Sequence, residues 1–456
     1  MSGNVAGNRR ESSQKGTGRG EALEVRNAGA KSDMVECDRE SLASERLLEE
    51  VLEKENLERA LKRVKANRGA PGVDGMTVEE LPRYLSDNWS SLKAVLINDA
   101  YRPRPVRSVD IPKPDGGVRK LGIPTVLDRF IQQALLQVLL PHYDPRFSPY
   151  SYGFRPGKNA HQAIIQAQTY IREGYEWVVD IDLEKFFDRV HHDRLMVGLS
   201  RDISDKRVLH LIRRFLTAGI MEGGVVSARM EGTPQGSPLS PLLSNIVLHE
   251  LDEELTRREH KFVRYADDQN IYVKSESAGQ RVMASVTKFI TKRLKLNVNE
   301  GKSAVDRPWK RKLLGYTFTA KGGRRKVAAQ AIKRLQDKVR AITRRTGGKS
   351  IEQVVSKLQQ LLRGWRAYFG LAEVSRDFKL LDSWIRRKLR CLIWKQWGKA
   401  RYRELKRRGV RAYTAWVTTK SGRGPWRLSN SPAVLQALPG KVLSSLGLPT
   451  LAKVHS

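Results

Sequence analysis

The chain has 456 residues, 40% of them hydrophobic, which is enough to bury a core and favours two or three domains over one. Its 84 Lys+Arg against 49 Asp+Glu give a net charge of +35, whose usual counterpart is a polyanion, with nucleic acid the first reading and an anionic membrane the competing one. No apolar run approaches the roughly 18 residues of a spanning helix, no signal peptide opens the chain, and the two cysteines, Cys37 and Cys391, exclude a disulfide framework and a cysteine zinc site, so the expectation is a cytoplasmic protein with free thiols and no membrane partner.

Residues 1–42 are rich in Gly, Ser, Asn and charge and read as a disordered basic and polar tail, because burial cannot offset the cost of ordering them. From Glu45 to Val64 the apolar positions Leu47, Leu48, Val51, Leu52, Leu57, Ala60, Leu61 and Val64 have helical spacing, and Gly69-Ala-Pro-Gly72 then makes a turn. The alternating run Val106–Lys113 followed by Asp115-Gly-Gly117 predicts a strand and hairpin. Helical patterning returns over Leu127–Leu140. Residues 177–183 and 262–273 are β-rich, the first with acids at Asp180 and Asp182, the second interrupted by Asp267-Asp268. Helices are expected near 191–217, 238–258 and 278–294, so the centre reads as α+β with a central sheet rather than a regular βαβ array.

After Gly322-Gly323 the composition shifts. Residues 321–420 hold 29 Lys+Arg against 6 Asp+Glu, which is +23 of the total. They also carry Trp365, Tyr368, Phe369, Trp384, Trp394, Trp397, Tyr402, Tyr413 and Trp416, several at helical spacing. A basic, aromatic, all-helical second domain follows, with most of these rings in its core and a minority available to stack on bases.

Two adjacent carboxylates repel, so Asp267-Asp268 marks either ordinary turn chemistry at a hairpin tip or a site where a divalent cation neutralises the pair. The second acidic strand tips the balance. Asp180 and Asp182 share one strand face, and two strands bringing carboxylates to one place can hold two metal ions for in-line phosphoryl transfer. Phe187, five residues past Asp182, suits the floor of a sugar pocket that excludes a 2′-hydroxyl by bulk, and Phe186 reads as core. Between the acids, Glu231-Gly-Thr-Pro-Gln-Gly-Ser-Pro-Leu-Ser-Pro241 has an irregular Gly- and Pro-fixed backbone that suits close approach of a template or a plain connector.

Tyr265-Ala-Asp-Asp268, Asp182–Phe187 and Thr233-Pro-Gln-Gly-Ser-Pro-Leu-Ser-Pro241 together resemble the reverse transcriptase of bacterial group II introns. So, in order, do Gly69-Ala-Pro-Gly-Val-Asp-Gly75, Ile111-Pro-Lys-Pro114, Leu121-Gly-Ile-Pro-Thr125, Ser151-Tyr-Gly-Phe-Arg-Pro-Gly157, Gly301-Lys-Ser303 and Leu313-Leu-Gly-Tyr316. The likeness spans roughly residues 45–420. It implies right-hand polymerase fingers and palm with a central antiparallel sheet over 43–320 and an all-helical thumb or maturase domain over 321–415, and leaves 416–456 as a C-terminal segment for which a DNA-binding role is open.

The resemblance further implies that Asp182, Asp267 and Asp268 are catalytic and hold two Mg²⁺ ions, Mn²⁺ being an acceptable substitute, with Asp180 a neighbour rather than a ligand. Arg107 and Lys113 would clamp the incoming triphosphate, while Phe187, Asp188, Pro234 and Gln235 would line the nucleotide pocket. Leu362-Arg-Gly-Trp365, Tyr368-Phe369 and Trp384–Lys388 resemble the maturase domain, which implies intron RNA binding through Arg363, Trp365, Arg386, Arg387 and Lys388. The expected partners are group II intron RNA, an RNA template with a DNA primer, target DNA and dNTPs, with a homodimer left open. No His-Asn-His endonuclease pattern is expected. The function implied is RNA-directed DNA polymerisation together with assistance to splicing and retrohoming. The alternatives are a splicing factor with a vestigial polymerase site, or a related retron, diversity-generating or CRISPR-type reverse transcriptase.

Overall fold

The computed structural model describes residues 45–112, 117–222, 224–344 and 348–452. The expected N-terminal tail, Cys37 and Lys113 lie outside the described residues. In chain order the strands are β1 (Val106–Pro112), β2 (Val118–Ile123), β3 (Trp177–Ile181), β4 (Ile220–Glu222), β5 (Val225–Ser227), β6 (Lys261–Tyr265), β7 (Asp268–Val273), β8 (Ala304–Asp306), β9 (Tyr316–Phe318) and β10 (Arg325–Val327). The chain divides into two compact units, one of residues up to 146 with 191–243, the other of 147–190 with 244 onward.

The first unit carries a sheet of order β2-β1-β4-β5, in which the predicted β1–β2 hairpin is antiparallel and β1 pairs with β4 in parallel. Helix Val126–Tyr143 is started by Thr125, whose hydroxyl oxygen accepts from the Asp128 N–H and donates to its carboxylate at 2.6 Å. The single helix expected over 191–217 is two, His192–Leu199 and Lys206–Thr217. Buried Asp205 breaks it, because its carboxylate accepts from the Arg207 N–H and from the Leu48 N–H at 3.0 Å, which is capping geometry rather than mid-helix geometry. The helical run from Glu45 is likewise two helices, Leu47–Val51 and Lys54–Asn67.

The second unit is built on a four-stranded sheet of order β6-β7-β3-β8, antiparallel throughout. Its apolar face supplies Val178, Val263 and Tyr272 to a core that continues through Leu335, Leu358 and Leu362 into Phe378, Leu389 and Trp394. Those residues lie on helices Ala329–Ile342, Ile351–Phe369 and Ser375–Gln396. The α+β sheet and the helical C-terminal region are therefore as expected, with β10 as an unforeseen strand between the glycine pair and the first of these helices. Of the nine rings, Phe369 and Trp394 are buried in this core, Trp365, Tyr368, Trp384 and Trp397 pack against it half-buried, and Tyr402, Tyr413 and Trp416 are exposed. No described helix is long and apolar enough to cross a membrane.

Candidate active site

Strands β3 and β7 pair with Ile181 opposite Gln269 and Asp180 opposite Asn270. Asp182 ends β3 one step beyond the last pair, and Asp268 begins β7 at the matching end. The β6–β7 hairpin closes with Tyr265 opposite Asp268, leaving Ala266 and Asp267 to turn the chain. Ala266 adopts a left-handed φ of 57°, a conformation that a Cβ-bearing residue holds only when its surroundings impose it. The sheet thus brings Asp182, Asp267 and Asp268 to one end.

Asp182 is fixed by backbone: its N–H donates to the Ser303 hydroxyl at 3.0 Å and its carbonyl accepts from the Asn299 N–H at 2.8 Å. This explains the Gly301-Lys-Ser303 block, which seats the end of β3. The Asp180 carboxylate is bound by the Arg311 guanidinium through two bonds, 2.6 and 2.9 Å, so its charge is balanced within the protein. Burial raises the Asp180 pKa and Arg311 opposes the rise. Asp268 has no such partner among its electrostatic neighbours. Although its side chain reaches solvent, crowding by the surrounding chain, then the charges of Asp267, Asp180 and Asp182, push its pKa up to about 6, with Lys312 pulling the other way. The cluster is short of positive charge, and its donors are all oxygen, a set that suits a hard divalent cation. Among the described residues no three His, Cys, Asp or Glu side chains already converge closely enough to ligate one ion together.

Phe187 lies in a short 3₁₀ turn, Phe186–Asp188, edge-on to Phe186 at 5.3 Å and near Phe154 at 6.4 Å. Both phenylalanines of the turn are buried, while Asp188 is exposed. In the first unit, Arg107 on β1 opposes Ile123 and is half-buried, its Nε without a partner. Nearby Arg129 has its pKa lowered by burial, with Asp74 opposing and Arg107 adding to the shift. The Gln235 carbonyl accepts from the Gly122 N–H on β2 at 2.9 Å, and Pro234 is buried, so the loop of Pro234 and Gln235 is docked on the same sheet that carries Arg107.

In the helical region Arg363 is exposed, whereas Trp365 packs against Phe369 and Phe378. Arg386 donates to the Thr450 hydroxyl, and Arg387 lies 4.0 Å from the centre of the Trp426 ring, with Lys388 over the same ring at 4.9 Å. One functional candidate was not legible in sequence. Arg264, 1% exposed, binds Asp252 and Asn245 and donates to the Ala266 carbonyl inside the acidic turn; an arginine inside a hydrophobic strand was the only signal.

An acid-bearing hairpin beside a strand ending in a third acid fits a reverse transcriptase fold. Comparison with known families agrees: residues 111–318 match the model described as reverse transcriptase (RNA-dependent DNA polymerase), and residues 332–410 match the group II intron, maturase-specific domain. The chain joins these two domains and is homologous to group II intron-encoded proteins. It is 39% identical to Protein YkfC of Escherichia coli K12 over 48% of this chain and 59% of that protein. It is 38% identical to the group II intron-encoded protein LtrA of Lactococcus lactis over 42% of this chain and 31% of that protein. The matched regions thus cover less than two thirds of these relatives. Among solved structures, a chain of the partial Cas6-RT-Cas1–Cas2 complex shares 27% identity, over 54% of this chain and 42% of that one, with a TM-score of 0.35.

Proposed function

We propose that the protein is an RNA-directed DNA polymerase that adds dNTPs to a primer 3′-hydroxyl on an RNA template, binds group II intron RNA, and assists splicing and retrohoming into target DNA. The observation that carries this reading is the placement of Asp182 beside the Asp267–Asp268 turn at one end of an antiparallel sheet. Two Mg²⁺ ions, held by Asp182, Asp267 and Asp268, would supply the Lewis acidity that activates the primer hydroxyl and neutralises the leaving pyrophosphate. Asp180 stays outside that set because Arg311 already neutralises it. Phe187 excludes a ribose 2′-hydroxyl by bulk. Arg107, with Lys113, takes the triphosphate oxygens, a planar fork and a point charge on adjoining anionic groups. Pro234 and Gln235 contact the nucleotide, and Asp188 lies at the edge of the sugar site. Arg363, Arg386, Arg387 and Lys388, with Trp365, belong to the RNA-binding region.

The competing reading is a splicing factor with a vestigial polymerase centre. Primer extension on poly(rA)/oligo(dT) with Mg²⁺ separates the two. The natural protein is expected to make cDNA and an Asp267→Ala/Asp268→Ala variant to lose about 10³-fold or more of that activity. No cDNA from the natural protein would leave the maturase reading standing alone.

A further inference from the structure

Beneath the acidic turn lies a closed set of buried polar side chains that the polymerase chemistry itself does not use. Arg264 on β6, Asp252 and Asn245 on helix Ser240–Arg257 are 1%, 0% and 0% exposed. Arg264 Nε donates to Asp252 Oδ1 at 2.8 Å and Nη2 to Asp252 Oδ2 at 2.6 Å, a bidentate pair that uses one edge of the guanidinium. The remaining nitrogen, Nη1, donates twice, to Asn245 Oδ1 at 2.9 Å and to the Ala266 carbonyl at 3.0 Å. Asn245 Nδ2 in turn donates to the Gly153 carbonyl at 3.0 Å. Gly153 closes the ring, since a Cβ built there would stand 2.2 Å from the Ala266 nitrogen, so glycine alone admits that backbone. The Tyr150–Tyr152 segment is strapped to β6 by the Arg264 N–H to Tyr150 and the Tyr152 N–H to Arg264, 3.0 and 2.8 Å.

We infer that Arg264 is a positioning residue for the acidic turn: through Asp252 and Asn245 it holds the Ala266 carbonyl and so imposes the left-handed Ala266 that sets Asp267 and Asp268 side by side. The reason is energetic economy at one atom. Burying a guanidinium is costly unless each of its donors is satisfied, and here the donor left over from the Asp252 pair is spent on the one residue of the turn that has an unfavourable φ. A guanidinium reaches an acid, an amide and a carbonyl at once with fixed angles, which an ammonium cannot. The functional consequence rests on the polymerase reading, and the geometry of the turn does not.

The test compares the natural protein with Arg264→Lys, which keeps a buried positive charge for Asp252, and with Arg264→Met/Asp252→Leu, which removes both charges together so that neither is left unpaired. Hydrogen exchange of the backbone amides of residues 265–269 is read alongside melting temperature and steady-state primer extension. Both variants are expected to melt within about 5 °C of the natural protein yet to exchange those amides at least about tenfold faster. Their kcat is expected to fall about 100-fold, with the dNTP KM changed by less than about threefold. A merely structural role would instead lower the melting temperature and speed exchange throughout the second unit. A folded variant with natural exchange at 265–269 overturns the assignment, as does uniform loosening. If the natural protein makes no cDNA, the polymerase reading fails and the exchange comparison alone decides the role of Arg264. If the double variant does not fold, Arg264→Lys carries the same decision.

Discussion

His192 is 3% exposed, with its Nε2 2.7 Å from the Gly232 carbonyl oxygen. Burial holds its pKa below the ordinary imidazole value; the Gly232 contact opposes this, and Arg213 and Arg229 add to it. The sign follows: as pH falls below about 6.5 the unfolded chain takes up a proton that the folded chain resists, so stability is intact above that pH and declines beneath it. His192→Gln, which retains a donor for Gly232, is expected to remove roughly 2–4 °C of the loss in melting temperature between pH 7.5 and 5. An identical slope for the two proteins would show that His192 is not the titrating group. Asp180 teaches the same lesson from the acidic side. In sequence it differs from Asp182, two positions away on one strand face, only by its place in the motif that ends at Phe187. The physical reason for that difference is Arg311, 131 residues along the chain, which neutralises Asp180.

Elements were legible where a periodic run ended on turn residues, as at Gly69–Gly72 after the helical run from Glu45 or at the Asp267–Asp268 pair between β6 and β7. They were not where a cap looks like any other polar residue. Asp205 divides the helical run after His191 only because the distant Leu48 N–H reaches it. Helices Leu81–Ile97 and Ala160–Arg172 and the short strands β4, β5 and β8 to β10 went unassigned, since a three-residue strand carries too little periodicity to register. Gly69–Gly72 read as a turn and Gly69–Gly75 as a motif resembling the family, and the structure gives one of these glycines a packing duty. A Cβ on Gly72 would stand 2.6 Å from the Thr125 Cα and 2.8 Å from its nitrogen, backbone atoms at the start of a helix that cannot give way cheaply. Gly72→Ala is therefore expected to destabilise the first unit by about 1–3 kcal/mol, read as a lower denaturation midpoint. An unchanged midpoint would mean that the loop relaxes away from Thr125.

At the scale of the whole molecule the +35 charge is the largest single feature, and +23 of it lies in residues 321–420. Such a field binds phosphate with a steep salt dependence. Replacing Arg387 and Lys388 by alanine is expected to weaken intron RNA binding and to reduce the slope of log K against log salt by up to about 2. Because both side chains also lie over Trp426, a melting curve must accompany the binding series. Unchanged affinity and slope in a folded variant would remove these two residues from the RNA surface. Composition, charge and the order of short motifs by themselves determined that this chain has an α+β centre bearing Asp182, Asp267 and Asp268, followed by a basic helical region, because each of those signals is local in the chain. Only the tertiary structure decided that Asp180 is neutralised by Arg311, that Gly153 must lack a side chain against Ala266, and that Arg264 grips the acidic turn. These depend on partners brought together across many residues, and no local pattern encodes which buried charge a distant side chain will satisfy.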